Sequence, residues 1–148
     1  MQKLTTGTHI KVSRKGYSHH GIYIGGGEVV HYSGFARAFK KGAIEITTLE
    51  DFLGGEKEYN IVQYSTDEFT CSPKSIYNRA LSRVGEDKYN LPFNNCEHFC
   101  CWCVTNKSQS KQVQSAVVQL VTAGAVQYAS PQLIVPVILG SFFKRMLK

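Results

Sequence analysis

The sequence predicts an α+β protein: a small antiparallel sheet packed against helices, with an apolar helical tail. Three observations carry this. Between residues 8 and 64, short β-branched and aromatic runs are separated by Gly, Lys and Ser, the pattern of strands joined by tight turns. From Ser72 onward the apolar residues recur at helical spacing. Residues 112–143 form a run of 32 without one charged side chain.

The runs at residues 8–12, 19–24, 28–33, 43–47 and 59–64 are the expected strands. Gly25, Gly26 and Gly27 read as a three-residue hairpin loop, which puts Ile24 opposite Glu28 and Gly21 opposite His31. Thr48 can cap a short helix over residues 49–53, with Asp51 at its third position and Gly54, Gly55 ending it. Ser72 followed by Pro73 opens a second helix, along which Ile76, Ala80, Leu81 and Val84 recur before Gly85 stops it. A third begins near Asn94, read as the N-cap, with Glu97 completing a capping box and Phe99, Trp102 and Cys103 sharing a buried face.

Length and composition bound the rest. A chain of 148 residues holds one compact domain. With 43% hydrophobic and 19% charged residues, it is neither disordered nor fibrous. The formal charge is +6, but residues 1–111 hold 14 basic and 11 acidic side chains, net +3, and Lys144, Arg145 and Lys148 supply the remaining +3. The basic residues are scattered without an aromatic-basic or helix-turn-helix pattern, so no nucleic-acid partner is expected. Residues 1–11 hold no apolar run of the length a secretory leader needs, so none is expected, and four of the five cysteines crowd into residues 96–103. Reduced thiols and a cytoplasmic protein are expected.

The uncharged tail is long enough to cross a bilayer and ends in basic residues. Gln112, Ser115, Gln119 and Thr122 nevertheless form a polar stripe, and Pro131 and Pro136 interrupt the second part. Membrane insertion and docking on the domain or a partner both remain open. Arg37, Lys40 and Lys41 read as a solvated loop or as a lipid-headgroup contact.

Cys96 is the candidate nucleophile, because the first turn of a helix presents backbone N–H groups and a positive dipole end that favour a thiolate. His19 and His31 fall on one sheet face by alternation, whereas His20 shares the other face with Ile22, Ile24, Val30 and Tyr32 and reads as structural. Gly21 leaves room for another element, such as the Cys96 helix, to come close. In this arrangement Cys96 attacks a carbonyl, His19 moves the proton, His31 orients His19, and backbone N–H groups near Cys96 meet the oxyanion. A small core cysteine and satisfied histidines are the plainer alternative. Cys96, Cys100, Cys103 and His98 lack the second distant pair of a zinc site, so neither metal nor cofactor is expected, and Cys100, Cys101 and Cys103 read as packing.

The stretches His19-His20-Gly21-Ile22-Tyr23-Ile24-Gly25 and Val29-Val30-His31-Tyr32, followed by Asn94-Asn95-Cys96-Glu97-His98-Phe99, resemble the lecithin retinol acyltransferase (LRAT) family, particularly its small bacterial members. The resemblance runs from about residue 6 to residue 107. It implies a permuted papain-like fold related to NlpC-like cysteine peptidases, with a catalytic domain over residues 1–110 and the apolar tail over 111–148. It also implies Cys96 as nucleophile, His19 as general base and His31 as the orienting residue. The implied reaction takes an acyl chain from a phospholipid onto the cysteine and passes it to water, an amine or an alcohol, at a membrane surface. Residues 34–43 are too short to match the insertion of the retinol-specific animal enzymes, so retinol is not the expected acceptor. The alternatives are an NlpC-like amidase or peptidase, and a non-catalytic membrane- or partner-binding module with Cys96 buried and His19 out of hydrogen-bond reach.

Overall fold

The computed structural model describes residues 3–33, 42–65, 70–88 and 95–107, together with Ser115 and Val118. Five strands, β1 (Thr8–Arg14), β2 (Tyr17–Gly25), β3 (Glu28–Tyr32), β4 (Ile44–Thr48) and β5 (Asn60–Ile61), form one antiparallel sheet in the order β4-β3-β2-β1-β5. Three helices are described: α1 (Leu49–Leu53), α2 (Pro73–Ser82) and α3 (Cys96–Thr105). The α+β class follows. The proposed tail and the basic group Arg37, Lys40, Lys41 fall outside the described residues, Ser115 and Val118 excepted. Among the described residues no helix is long and apolar enough to cross a membrane.

The central hairpin has the expected register at its functional end, Gly21 opposite His31, but a different tip. Gly25 rather than Ile24 faces Glu28, and Ile24 is taken up in a bulge between Tyr23 and Gly25. The loop is therefore two residues, Gly26 and Gly27, with φ of 61° and 82°. Two consecutive positive φ values make the turn whose twist matches that of paired strands, and glycine reaches them without steric penalty.

β1 and β2 extend to the Lys15-Gly16 turn, so β2 starts at Tyr17 instead of residue 19. The expected strand at residues 59–64 shrinks to two residues on the edge, beside Ile10 and Lys11. Beyond it Val62 N–H still donates to the His9 carbonyl at 2.9 Å, and Tyr64 turns its hydroxyl onto the His9 ring.

The sheet has two faces with separate apolar clusters. On one, Ile22, Ile24, Val30, Tyr32 and Ile44 pack against Ile76 and Ala80 of α2 and Phe99, Cys100 and Cys103 of α3. On the other, Ile10, Val12 and Val29 pack against Phe52 of α1. Both short caps expected from sequence form: Thr48 accepts from Asp51 N–H and Gly54 ends α1, and Ser72 accepts from Ser75 N–H ahead of Pro73. Helix α2 ends at Ser82, leaving Val84 outside it and exposed. Phe99 and Cys103 are buried as expected. Trp102 is only half-buried, with the Arg79 and Arg83 guanidinium groups 5.2 and 5.1 Å from its ring centre.

Gly21 does admit a close neighbour, but the neighbour is α1, not the Cys96 helix. A Cβ there would stand 2.5 Å from Val29 Cγ1 and 2.8 Å from Phe52 Cε2. Both contacts belong to a packed core that yields little, so Gly21→Ala is expected to lose about 1–3 kcal/mol. Thermal unfolding of the two proteins checks this; an unchanged midpoint would show that Phe52 moves freely.

Candidate active site

The hairpin brings His19 and His31 together on the α1 face. Their rings meet edge-to-face with centres 4.9 Å apart, and His19 Nε2 lies 3.0 Å from His31 Nδ1. His31 Nε2 lies 3.1 Å from Thr47 Oγ1 and 4.0 Å from Glu45 Oε1, both on β4. The Glu45 carboxylate favours a proton on His31 Nε2, which then donates to Thr47 Oγ1. His31 Nδ1 is left as acceptor for His19 Nε2–H, and the lone pair of His19 sits on Nδ1.

Phe52 stacks on His19 at 5.1 Å and meets His31 edge-on at 5.4 Å. Arg14 donates to the Phe52 carbonyl at 2.7 Å, tying the end of β1 to α1. Burial pushes the His19 pKa down to about 3, with the neighbouring His31 and Arg14 adding to it. His31 is lowered too, chiefly by burial, against the opposing influence of a backbone hydrogen bond at Tyr32 and of the Glu45 carboxylate. Both rings are therefore neutral at pH 7, the state in which His19 can accept a proton.

Cys96 reaches the same strand segment from the other side. It is the first residue of α3, whose N-cap is Asn95 rather than Asn94; the Asn95 side chain accepts from His98 N–H at 3.0 Å. Glu97 is then the second helical residue, not the third, where a capping box has its carboxylate. Asn94 itself lies outside the described residues.

Among the described residues β3 pairs with β2 from Gly21 to Gly25, and Tyr17 to His20 are laddered to β1. The sulfur settles beside that stretch of β2. Cys96 Sγ is 4.0 Å from the Ser18 carbonyl oxygen, and the His20 N–H stabilises its anionic form. It is near enough to Tyr17, on the His19 face, to raise the phenol's pKa after burial has already done so. The thiol thus flanks His19 along the backbone, and no hydrogen bond joins it to either His19 ring nitrogen among the described residues.

The expected donors at the helix start are present: the N–H groups of Glu97 and Cys96, with that of His20, favour a thiolate. Burial outweighs them. Cys96 is 5% exposed, and desolvation, helped by the Glu97 carboxylate, pushes the thiol up to about 11. This corrects the expectation of a lowered pKa. Iodoacetamide alkylation of Cys96, followed by peptide mass, is therefore expected to rise about tenfold per pH unit from pH 7 to 9. A plateau reached by pH 6 would reveal a preformed ion pair instead.

All five cysteines are free thiols. Cys100 and Cys103 pack in the core, and Cys101 is half-buried beneath the Tyr64 hydroxyl at 3.8 Å. Among the described residues no three metal-ligating side chains converge. Arg14, Tyr17, Thr47, Glu45 and Phe52 were not singled out from sequence. The register of β4 depends on a connection of unreadable shape, and a capped helix does not announce which sheet face it covers.

Comparison with known proteins matches the sequence to a family. The sequence profile described as lecithin retinol acyltransferase matches residues 2–109. The chain belongs to the lecithin retinol acyltransferase family. It is 33% identical to human phospholipase A and acyltransferase 2 over 138 residues, covering 84% of this chain and 85% of that one. Human phospholipase A and acyltransferase 4 is 32% identical over 139 residues, with 84% of each chain covered. Rat lecithin retinol acyltransferase is 29% identical over 136 residues, which make up 73% of this chain and 57% of that family member. The papain-like fold of the family accommodates the five-stranded antiparallel sheet and flanking helices seen here.

Proposed function

We propose that the protein is a cysteine-dependent phospholipase A and acyltransferase. Family membership supports the reaction class, and the observation that carries the mechanism is the His19–His31 hydrogen bond at 3.0 Å, with the Cys96 sulfur 4.0 Å from the carbonyl oxygen of Ser18, the residue before His19. In the first half-reaction the Cys96 sulfur attacks an ester carbonyl of a glycerophospholipid. His19 Nδ1 takes the thiol proton and gives it to the departing glycerol oxygen. A thioester forms, the ester C–O bond breaks, and a lysophospholipid leaves. In the second, water, an amine or an alcohol attacks the thioester and its proton returns to sulfur through His19. His31 holds His19 in the required tautomer, and the N–H groups at the start of α3 are in place for the oxyanion.

The pair is poised rather than ionised. With thiol and imidazole both neutral, proton transfer accompanies attack on the carbonyl, as in a serine–histidine pair, and does not precede it. Hydrogen bonds of this kind often tighten only when substrate is bound.

Intact-mass analysis after incubation with mixed phospholipid vesicles tests the proposal. An acyl-sized adduct on the wild type, absent in Cys96→Ala, is the expected result. The burial of Cys96 and its missing bond to His19 favour one rival, a non-catalytic membrane- or partner-binding module. Folded wild-type protein that yields neither adduct nor lysolipid would overturn the proposal and favour the rival.

A further inference from the structure

A second set of buried titratable groups lies behind the nucleophile, on the opposite face of the sheet from His19. His9 and His20 are 3% exposed each, and His9 Nε2 is 2.8 Å from His20 Nδ1. His9 Nδ1 is 2.6 Å from the Tyr64 hydroxyl. The register explains the meeting: His9 pairs with Ile22 and Lys11 with His20, so the two imidazoles are diagonal neighbours on one face.

The chain has a direction. The Tyr64 O–H can donate to His9 at 2.6 Å or to the Cys101 sulfur at 3.8 Å, and imidazole nitrogen is much the better acceptor. With the phenol donating, His9 carries its hydrogen on Nε2 and donates to His20 Nδ1. The hydrogen of His20 is then on Nε2.

Glu97 connects this chain to the reaction. It is 5% exposed, next to Cys96 in the first turn of α3. Its carboxylate acts on both neighbours, raising His20 against the effect of burial and opposing ionisation of Cys96. We propose that the Tyr64–His9–His20 chain is a positioning device for the nucleophile: it holds His20, with an N–H to offer, as the counterweight to Glu97, so that the carboxylate beside Cys96 resists a thiolate less. His20, His9, Tyr64 and Glu97 are positioning residues in this scheme. The inference rests on Cys96 being the nucleophile.

The other groups acting on the pair are few. Lys11 and His9 face His20 from β1, with Glu97 facing it from α3. Cys96 has Tyr17 from β2, and Glu97 and Cys100 within its own helix. Glu97 acts directly on both.

The test is the pH profile of Cys96 alkylation by iodoacetamide, read on the full chain by peptide mass, with circular dichroism confirming the fold. Tyr64→Phe, which removes a single oxygen, and His20→Gln are each expected to slow alkylation at pH 8 by about threefold to tenfold and move the profile to higher pH, since a neighbouring charge left unbalanced shifts a pKa by about a unit. Glu97→Gln is expected to speed it. In the Glu97→Gln background, Tyr64→Phe and His20→Gln are expected to change the rate by less than twofold. Folded Tyr64→Phe with the wild-type profile overturns the proposal, as does slowing that persists in full without Glu97. Because alkylation needs no lipid, shifted profiles alongside a failed vesicle assay would leave this positioning intact and remove only the acyl chemistry.

Discussion

His19→Gln is expected to slow acyl loading of Cys96 by about 10²–10⁴-fold, the range over which a positioned general base contributes. The expectation is high because the resting thiol has its pKa pushed up to about 11; almost no thiolate exists at neutral pH to react unaided. His31→Gln is expected to act less, by about tenfold to a hundredfold. It leaves the base in place but loosens the hydrogen bond that keeps its lone pair on Nδ1. Single-turnover acylation with phospholipid vesicles, followed by intact mass, measures both. Loading by folded His19→Gln within threefold of wild type would remove His19 from the mechanism.

The second large effect is acid instability. An unfolded histidine titrates near 6.5, whereas in the folded chain His19 is lowered to about 3, His20 to about 4 and His9 well below its ordinary value, each chiefly by burial. Between those values and 6.5 only the unfolded chain takes up the protons, so stability is fully present above 6.5 and is lost as pH falls toward the folded pKa values. Each such histidine removes about 2 kcal/mol at pH 5. The His9–His20 bond makes their contributions interdependent, so the three together remove about 4–6 kcal/mol, much of the stability of a domain this size. Thermal unfolding at pH 7.5 and pH 5.0, at constant ionic strength, is expected to show a fall of about 10–25 °C. Midpoints within 5 °C of each other would mean that the folded rings take up protons as readily as the unfolded ones. His19→Gln is expected to flatten the dependence by roughly a third.

Much of this site was legible in the chain because two simple periodicities fix it. Alternation along strands placed His19 and His31 on one face and His20 on the other, and glycines at the turn put Gly21 opposite His31. The tip was misread by one residue because three glycines in a row permit several loops, and only the bulge at Ile24 selects among them. Asn94 and Asn95 are equally good caps by chemistry; the position of Cys96 in the helix depended on which one packs. The rise in the Cys96 pKa was not legible either, since a helix start announces donors but not the degree of burial that overrides them. The His9–His20 contact lay hidden in the β1–β2 register. Reading Lys15-Gly16 as a two-residue turn would have put Lys11 opposite His20 and revealed His9 as its diagonal neighbour.

Among the described residues β3 bonds to β2 no further than the His31 rung, and the Cys96 sulfur lies against β2 just beyond it. Strand length is therefore a determinant of reactivity. Were β3 to grow by two residues along its partner, its own amide groups would claim the Ser18 carbonyl and the His20 N–H, evicting the sulfur without altering any residue of the histidine pair. Chain insertions or deletions just after Tyr32 would then govern whether a member of this fold can react at all, even with every chemically active side chain retained.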